Sequence, residues 1–108
     1  MKGSDLVIDP ERLRCAAQQA VSAVKVLANP ERLLLLCQLS QGEFSVGELE
    51  EQLDIHQPTL SQQLGVLRTQ GVVATRREGK NIYYSVSDPA LLEILVVLYR
   101  LYCPKDPE

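Results

Sequence analysis

The chain has 108 residues and a net charge of −3, and 45% of its residues are apolar. That length suits one ordinary domain, and that apolar share is typical of a folded protein rather than a disordered one. No apolar run approaches the roughly 18 residues that a membrane span needs, and the first residues do not resemble a secretory signal. We therefore expect one cytoplasmic domain over residues 1–108 that does not contact membranes.

Three cysteines, Cys15, Cys37 and Cys103, lie at wide spacings, and no two of them form a Cys-x-x-Cys pair. Zinc ribbons and disulfide scaffolds need closer, paired cysteines, so we expect neither. In a reducing compartment, a disulfide between them would be transient or sensory. The sequence pattern alone leaves open whether Cys37, inside RLLLLCQLS, is a packing residue or a reactive thiol.

The first two helices are predicted from similar starts, Asp9-Pro10-Glu11-Arg12 and Asn29-Pro30-Glu31-Arg32. Each places a capping side chain before a first-turn proline and an acidic residue. These signals predict helices over about 10–27 and about 30–41. The second helix is apolar nearly all round and is expected to be buried. The first has one apolar face, formed by Leu13, Ala17, Ala20, Val21, Val24 and Leu27.

The third and fourth helices are predicted from a capping box and a proline. Ser45-Val46-Gly47-Glu48 has the capping-box pattern, which predicts a short helix over about 45–53. A turn over 54–57 follows, and Pro58 suits the first position of a fourth helix that runs to about residue 70. Gly71 then provides a stop.

A hairpin and a last helix complete the predicted elements. Residues 72–77 and 81–86 have the pattern of two strands around the turn Glu78-Gly79-Lys80. Asp88-Pro89 opens a fifth helix over 89–102. Two short helices with a tight turn, followed by a two-stranded hairpin, predict a mostly α winged helix-turn-helix fold.

The predicted fourth helix has the side chains of a DNA-reading element. Leu60, Leu64 and Leu67 share one face and would anchor the helix to a core. A solvated polar face remains the alternative for the other positions. Those positions, however, carry short neutral side chains that suit base edges in a major groove, namely Gln57, Thr59, Ser61, Gln62 and Gln63.

Positive charge is concentrated in the same part of the chain. Residues 56–84 contain four basic residues and one acidic residue, a net charge of +3 in a chain that is acidic overall. Such a block is the electrostatic footprint expected for DNA binding. Arg68 ends the fourth helix, where it suits a phosphate. The predicted wing carries Arg76, Arg77, Lys80 and Asn81, which suit the DNA backbone.

The stretch GELEEQLDIHQPTLSQQLGVLRTQGVVATRREGKNIYYSV resembles the ArsR/SmtB family of small bacterial repressors. The likeness runs from the NPERL opening of the second helix to the last helix. It implies a repressor, not an enzyme, that binds double-stranded operator DNA. The family's recognition-helix contacts fall on Gln57, Ser61 and Gln62, with Pro58 and Thr59 nearby.

The same resemblance implies a homodimer formed by the first and last helices. The apolar residues of the fifth helix agree with it, because they exceed what a monomer this small would cover. The interface is expected to include Leu13, Ala17, Leu91, Leu92, Leu95 and Leu98.

The metal sites of this family are not expected here. Its metal-sensing members carry a Cys-x-Cys in the third helix or an Asp/His set on the fifth. The third helix, SVGELEEQL, contains no cysteine, and the fifth, PALLEILVVLYRLY, contains no histidine. The single histidine, His56, has no partners at ligand spacing. We expect neither a metal site nor a cofactor.

The segments LLLLCQLSQGEFSVGELE, QPTLSQQLGVLR and LYC resemble one branch of the family, the persulfide sensors typified by the biofilm growth-associated repressor. The resemblance implies that Cys37 and Cys103 are its two functional cysteines. Reactive sulfur species, persulfide or polysulfide, would link them through sulfur, and the repressor would leave the operator of sulfide oxidation or detoxification genes. We expect Cys37 to be the more buried of the two.

Other hypotheses remain open at this stage. Cys37 and Cys103 are packing residues in the simplest alternative. Cys15 is either a surface thiol or a third thiolate that would complete an arsenite or antimonite site with the other two. A general response to oxidants and a protein-interaction role without DNA are further alternatives.

Overall fold

The computed structural model describes residues 9–103 as a winged helix-turn-helix with five helices and three short strands. The fold class predicted from the sequence is therefore confirmed. In chain order the elements are α1 (Pro10–Leu27), α2 (Pro30–Leu39), β1 (Phe44–Ser45), α3 (Val46–Leu53), α4 (Thr59–Thr69), β2 (Val73–Glu78), β3 (Asn81–Val86) and α5 (Pro89–Tyr102).

The predicted two-stranded wing is present as β2 and β3, and the sheet also has a third strand that was not predicted. β1 pairs antiparallel with β3, with Phe44 opposite Tyr84, and the strand order is β1-β3-β2. A strand of two residues is too short to show the alternation by which strands are recognised in a sequence. Its place in the sheet ties the base of the wing to the start of α3.

Local hydrogen bonds explain why the helices around the wing begin and end where they do. The capping box at α3 is complete: Ser45 Oγ accepts from the Glu48 N–H at 3.2 Å, and Glu48 Oε1 accepts from the Ser45 N–H at 2.8 Å. α4 ends at Thr69, and Gly71 just beyond it has a φ of +73°, which favours glycine. The Val72 N–H donates back to the Leu67 carbonyl at 3.2 Å, which completes a Schellman motif.

The core lies between α2, α4, α5 and the sheet. The predicted leucine face of α4 is confirmed, since its three leucines are buried. α2, by contrast, is not buried all round: Leu34 is 48% exposed and Cys37 is half-buried. The fully buried side chains of the core are Leu35, Leu36, Leu39, Leu49, Leu60, Leu67, Leu91 and Leu95.

Two helices expose apolar side chains that this core does not cover. In α1 only Val26 is buried, and Leu27 of the predicted apolar face packs against the core, whereas the rest of that face lies outside it. None of the helices between residues 9 and 103 is long and apolar enough to cross a membrane. The large exposed apolar side chains of α1 and α5 are Leu13, Val21, Val24, Ile94, Val96, Val97, Tyr99, Leu101 and Tyr102.

Candidate nucleic-acid interface and thiol pocket

α4 presents a polar surface at its N-terminal end, opposite the leucines that hold it to the core. Gln57, Pro58, Ser61 and Gln62 are exposed, and Thr59 is half-buried. We call these five residues the reading surface. Apart from Pro58, its side chains are neutral donors and acceptors, which is the chemistry that base edges in a major groove require.

Two of the glutamines predicted to contact DNA have structural partners. Gln57 Oε1 accepts from the Ser61 N–H at 3.1 Å, so Gln57 satisfies an N–H in the first turn of α4. Gln63 is half-buried, and its Oε1 accepts from Arg32 Nη1 at 3.3 Å. Gln63 therefore points toward α2 rather than away from the protein. Gln62 is exposed, and it remains predicted to contact a base.

The wing ends in a tight turn at Gly79, which has a φ of +63°. Arg77 and Lys80 flank this turn, and both are exposed. The Arg77 Nε lies 3.5 Å from the Gly79 carbonyl, so this side chain stays close to the turn. With Arg68 at the end of α4, also exposed, these side chains form the basic part of the candidate interface.

Arg76 differs from those cations because two carboxylates already neutralise it. Its Nη2 lies 3.0 Å from Glu43 Oε1, and its Nη1 lies 2.8 Å from Glu78 Oε1. The guanidinium also stacks on the Tyr83 ring, 4.9 Å from the centroid. The hydrogen bonds to Arg76 lower the pKa of the Glu43 carboxyl. Arg76 therefore joins the wing to the loop before β1, and a phosphate would have to compete for it.

His56 lies in the turn between α3 and α4, beside two carboxylates. Its Nδ1 is 3.4 Å from Glu50 Oε2, and its Nε2 is 2.7 Å from Asp54 Oδ1. Glu50 and then Asp54 raise the pKa of His56 above its usual 6.5, because both favour the protonated ring. The turn before the recognition helix thus contains a titratable group.

An open apolar pocket of about 720 Å³ lies between α2 and the last turns of α5. The exposed side of α2 supplies Leu34 and Cys37, and the end of α5 supplies Cys103. None of the described residues that line the pocket is charged. They are Pro30, Leu33, Leu34, Cys37, Gln38, Gln41, Leu53, Leu98, Tyr99, Tyr102 and Cys103.

The two pocket cysteines differ in burial as expected from the sequence. Cys37 is half-buried, and Cys103 is exposed. Burial raises the pKa of the Cys37 thiol, and the neighbouring Cys103 raises it further, because a second thiolate disfavours the first. Two thiols from distant parts of the chain therefore lie close enough to affect one another.

Cys15 lies on α1, is exposed, and is not among the residues that line the pocket. Between residues 9 and 103, no group of three or more His, Cys, Asp or Glu side chains is arranged to hold a metal ion.

The predicted dimer surface needs correction on α5. Leu91 and Leu95 are only 2% and 1% exposed, so they pack into the core of the protomer and cannot meet a second copy. Leu92 and Leu98 are half-buried, whereas Leu13 and Ala17 on α1 are exposed. The exposed apolar side chains of α5 that the sequence analysis left out of the interface are Ile94, Val96, Val97, Tyr99, Leu101 and Tyr102.

Similar proteins are known by sequence and by structure. The family model described as bacterial regulatory protein, arsR family, matches residues 29–75. A biofilm growth-associated repressor from Agrobacterium fabrum is 54% identical over 87 residues, which cover 81% of this chain and 74% of that protein. A crystal structure of the repressor BigR from Xylella fastidiosa matches with a TM-score of 0.83 and 45% identity, over 91% of this chain and all of that one. Reduced HlyU from Vibrio cholerae matches with a TM-score of 0.82 and 38% identity, over 87% of this chain and 99% of that one.

Proposed function

Because the chain belongs to the arsR family of bacterial regulatory proteins, which are DNA-binding transcriptional regulators, we propose that it is a repressor whose ligand is a reactive sulfur species. Persulfide or polysulfide reacts with Cys37 and Cys103, and the protein releases operator DNA of sulfide oxidation or detoxification genes. It acts in the cytoplasm, where that DNA lies.

One observation carries the sulfur chemistry: two thiols from different helices meet at a single open pocket. Cys37 comes from the middle of α2 and Cys103 from the end of α5, and both line the same cavity. A thiol that only fills a core has no reason to face an open pocket beside another thiol. A direct disulfide requires Cα atoms about 4.4–6.8 Å apart, whereas a bridge with added sulfur atoms relaxes that limit.

The chemistry balances when the donor supplies the sulfur and acts as the oxidant. Each thiolate attacks the outer sulfur of a persulfide, RSSH, and RSH leaves, so both cysteines become persulfides. One protein persulfide then attacks the inner sulfur of the other, H₂S leaves, and a three-sulfur bridge joins the helices. In total, two thiols and two RSSH give the bridge, two RSH and one H₂S. Cys103 reacts first because it is the more exposed thiol.

DNA binding is proposed to need two copies of the chain. The exposed apolar side chains of α1 and α5 support a homodimer, since an isolated protomer would leave them in water. Two copies of α4 would then enter successive major grooves. The operator should be an imperfect palindrome with half-sites about one helical turn, roughly 10 base pairs, apart.

The bridge would act on DNA binding through α2 and α5. The buried leucines of α2 pack in one core with those of α4, and α5 belongs to the proposed dimer interface. Fixing α2 to α5 would therefore change the angle between the two winged domains. Equal separation of the two α4 helices in the reduced and bridged dimers would contradict this route.

The experiment is fluorescence anisotropy of the reduced protein on DNA from its own promoter, titrated with glutathione persulfide. We expect release of the DNA by the unmodified protein. The response should be lost in Cys37→Ser and in Cys103→Ser, because neither variant can form the bridge. The matched control is Cys15→Ser, which should respond as the unmodified protein does, since Cys15 lies outside the pocket.

Two outcomes would overturn the proposal. Tight DNA binding that ignores persulfide would return both cysteines to a packing role. Loss of the response in Cys15→Ser would favour the three-cysteine arsenite or antimonite hypothesis, and arsenite would be the next titrant.

A further inference from the structure

Arg32, at the start of α2, uses its guanidinium to join α1 to α4. Its Nε donates to the Val26 carbonyl at 2.8 Å, and its Nη2 donates to the Lys25 carbonyl at 3.0 Å. Its Nη1 donates to Gln63 Oε1 at 3.3 Å. All three nitrogens of one side chain are thus engaged, two with α1 and one with α4.

The two bonds from Arg32 to α1 provide donors for carbonyls at the C-terminal end of that helix. The last four carbonyls of a helix lack partners within it, and those of Lys25 and Val26 lie in the last turn of α1, where the Lys25 carbonyl also accepts from the Ala28 N–H at 3.3 Å. A guanidinium there supplies donors, and its charge is favoured by the negative end of the helix dipole. Asn29 fixes the backbone of Arg32, because its Oδ1 accepts from the Arg32 N–H at 3.0 Å.

The α4 side of the link spans a gap rather than a packed interface. A cavity of about 340 Å³ lies beside Arg32, and its lining includes Val26 of α1 and Val66 of α4. Van der Waals packing is therefore incomplete between these helices at this point. The hydrogen bond to Gln63, which is itself half-buried, bridges them directly.

We propose that Arg32 and Gln63 form a positioning pair that fixes the recognition helix relative to the dimerisation helix, and so sets the operator spacing that the dimer accepts. This inference rests on the proposed function, because it takes α4 to enter DNA and α1 to join two copies. Gln63 acts through Arg32 and is not a base-reading residue.

The physical consequence concerns geometry more than affinity. In a two-fold dimer the distance between the two recognition helices is set by how each is held against its dimerisation helix. A rigid link restricts that distance to a narrow range, so the dimer binds an operator with displaced half-sites more weakly. A loosened link lets α4 shift to meet the displaced half-sites, so the loss of affinity is smaller.

The test measures the affinity of each variant for the native operator and for operators with one base pair added or removed between the half-sites. Arg32→Lys keeps the charge, but a single ammonium cannot span both α1 carbonyls and Gln63. We expect the unmodified protein to favour native spacing over displaced spacing, and Arg32→Lys to reduce that ratio about two- to tenfold, the range of one hydrogen bond.

A second variant tests the same link from the other helix. Gln63→Met keeps the size of the side chain and removes the acceptor, so it should reduce the spacing ratio by a similar factor. The double variant should lose no more than Arg32→Lys alone, because the bond to Gln63 is already broken in that variant. If Arg32→Lys fails to fold, the Gln63→Met variant alone tests the positioning role. Arg12→Lys, the same exchange on the exposed part of α1, is the control and should keep the ratio.

Failure of this inference differs from failure of the proposed function. If Arg32→Lys and Gln63→Met weaken binding equally at every spacing, Arg32 is only a stabilising residue and the positioning role is wrong. Full additivity of the two substitutions would contradict it as well. If instead the unmodified protein does not bind its promoter, the proposed function itself fails.

Discussion

The DNA-reading half and the thiol half of the molecule are assembled in different ways. α3, α4 and the wing are consecutive in the chain, and their ends are set by local bonds, such as the capping box at Ser45 and the turn at Gly71. The pocket, by contrast, brings Cys37 and Cys103 together from distant parts of the chain. The reading half is specified locally, whereas the thiol half exists only once α2 and α5 have packed.

The two halves also differ in what controls their chemistry. In the reading half the basic residues differ in whether a carboxylate neutralises them. Arg76 is held by Glu43 and Glu78, whereas Arg77 at the tip is not held by a carboxylate among the described residues. In the pocket no described lining residue is charged, and burial controls the Cys37 thiol. Salt concentration should therefore affect mainly the affinity of the reading half for DNA, whereas solvent exposure should affect mainly the reactivity of the pocket thiols.

The largest expected effect contrasts the anchored side of α4 with the open side of α2. Leu67 is fully buried, so Leu67→Ala should lower the free energy of unfolding by about 2–5 kcal/mol. Leu34 is 48% exposed at the pocket, so Leu34→Ala should change it by only about 0.5 kcal/mol. Urea denaturation of the reduced proteins at one protein concentration measures both. An equal loss in the two variants would mean that the pocket side of α2 is covered in the working protein.

The next effect separates base reading from backbone binding within the reading half. Gln62→Ala should weaken operator binding by about 1–3 kcal/mol and leave binding to random DNA nearly unchanged, because it removes a contact to a base edge. Arg77→Ala should weaken both alike and reduce the salt slope by about 1, because it removes a phosphate contact. Anisotropy titrations at several salt concentrations measure all of these.

The matched control for Arg77 is Arg76→Ala on the same strand. Its charge is already neutralised by two carboxylates, so the salt slope should change less than in Arg77→Ala. A larger change in Arg76→Ala would show that DNA displaces Glu43 and Glu78. Unchanged operator binding in both Gln62→Ala and Arg77→Ala would contradict the proposed docking of α4 and the wing.

This contrast also explains how much could be predicted from the sequence. Caps, turns and the leucine face of α4 are local signals, and they predicted all five helices and the hairpin close to their observed positions. The strand at Phe44–Ser45 was missed because two residues are too few to show the alternation of apolar and polar side chains that predicts a strand. The bond from Arg32 to Gln63 and the bond from Arg76 to Glu43 were missed because each joins residues more than 30 positions apart.

The pocket was predicted only in part. A resemblance to a family pointed to Cys37 and Cys103, but no periodicity in the sequence places the end of α5 beside α2. An apolar pattern also cannot show which side of a helix meets the core. Leu34 and Leu35 are both leucines, yet the first is 48% exposed and the second is fully buried. The same ambiguity assigned Leu91 and Leu95 to the dimer surface rather than to the core.

A third prediction concerns the order in which the two pocket thiols are alkylated. Alkylation with iodoacetamide should modify Cys103 before Cys37, because the thiolate reacts and the pKa of Cys37 is raised by burial and by Cys103. In Cys103→Ser the rate at Cys37 should rise, since one cause of its raised pKa is gone. Peptide mass spectrometry over time gives both rates, and Cys15→Ser removes the exposed thiol outside the pocket. Faster modification of Cys37 would contradict the observed difference in burial.

The smallest expected effect belongs to the reading half and depends on pH. Glu50 and Asp54 raise the pKa of His56 above 6.5, so they stabilise its protonated form in the folded state. This stabilisation is fully present below the unfolded-state pKa and is lost as the pH rises through the folded-state pKa. The chain has a single histidine, so its ring proton resonances can be followed by NMR without assignment. The pKa should fall toward 6.5 in Glu50→Gln, whereas Glu93→Gln, an exposed change on α5, should leave it unchanged. If both variants titrate like the unmodified protein, the turn before α4 holds no such ion pair, and the charge control assigned to the reading half would be confined to its wing.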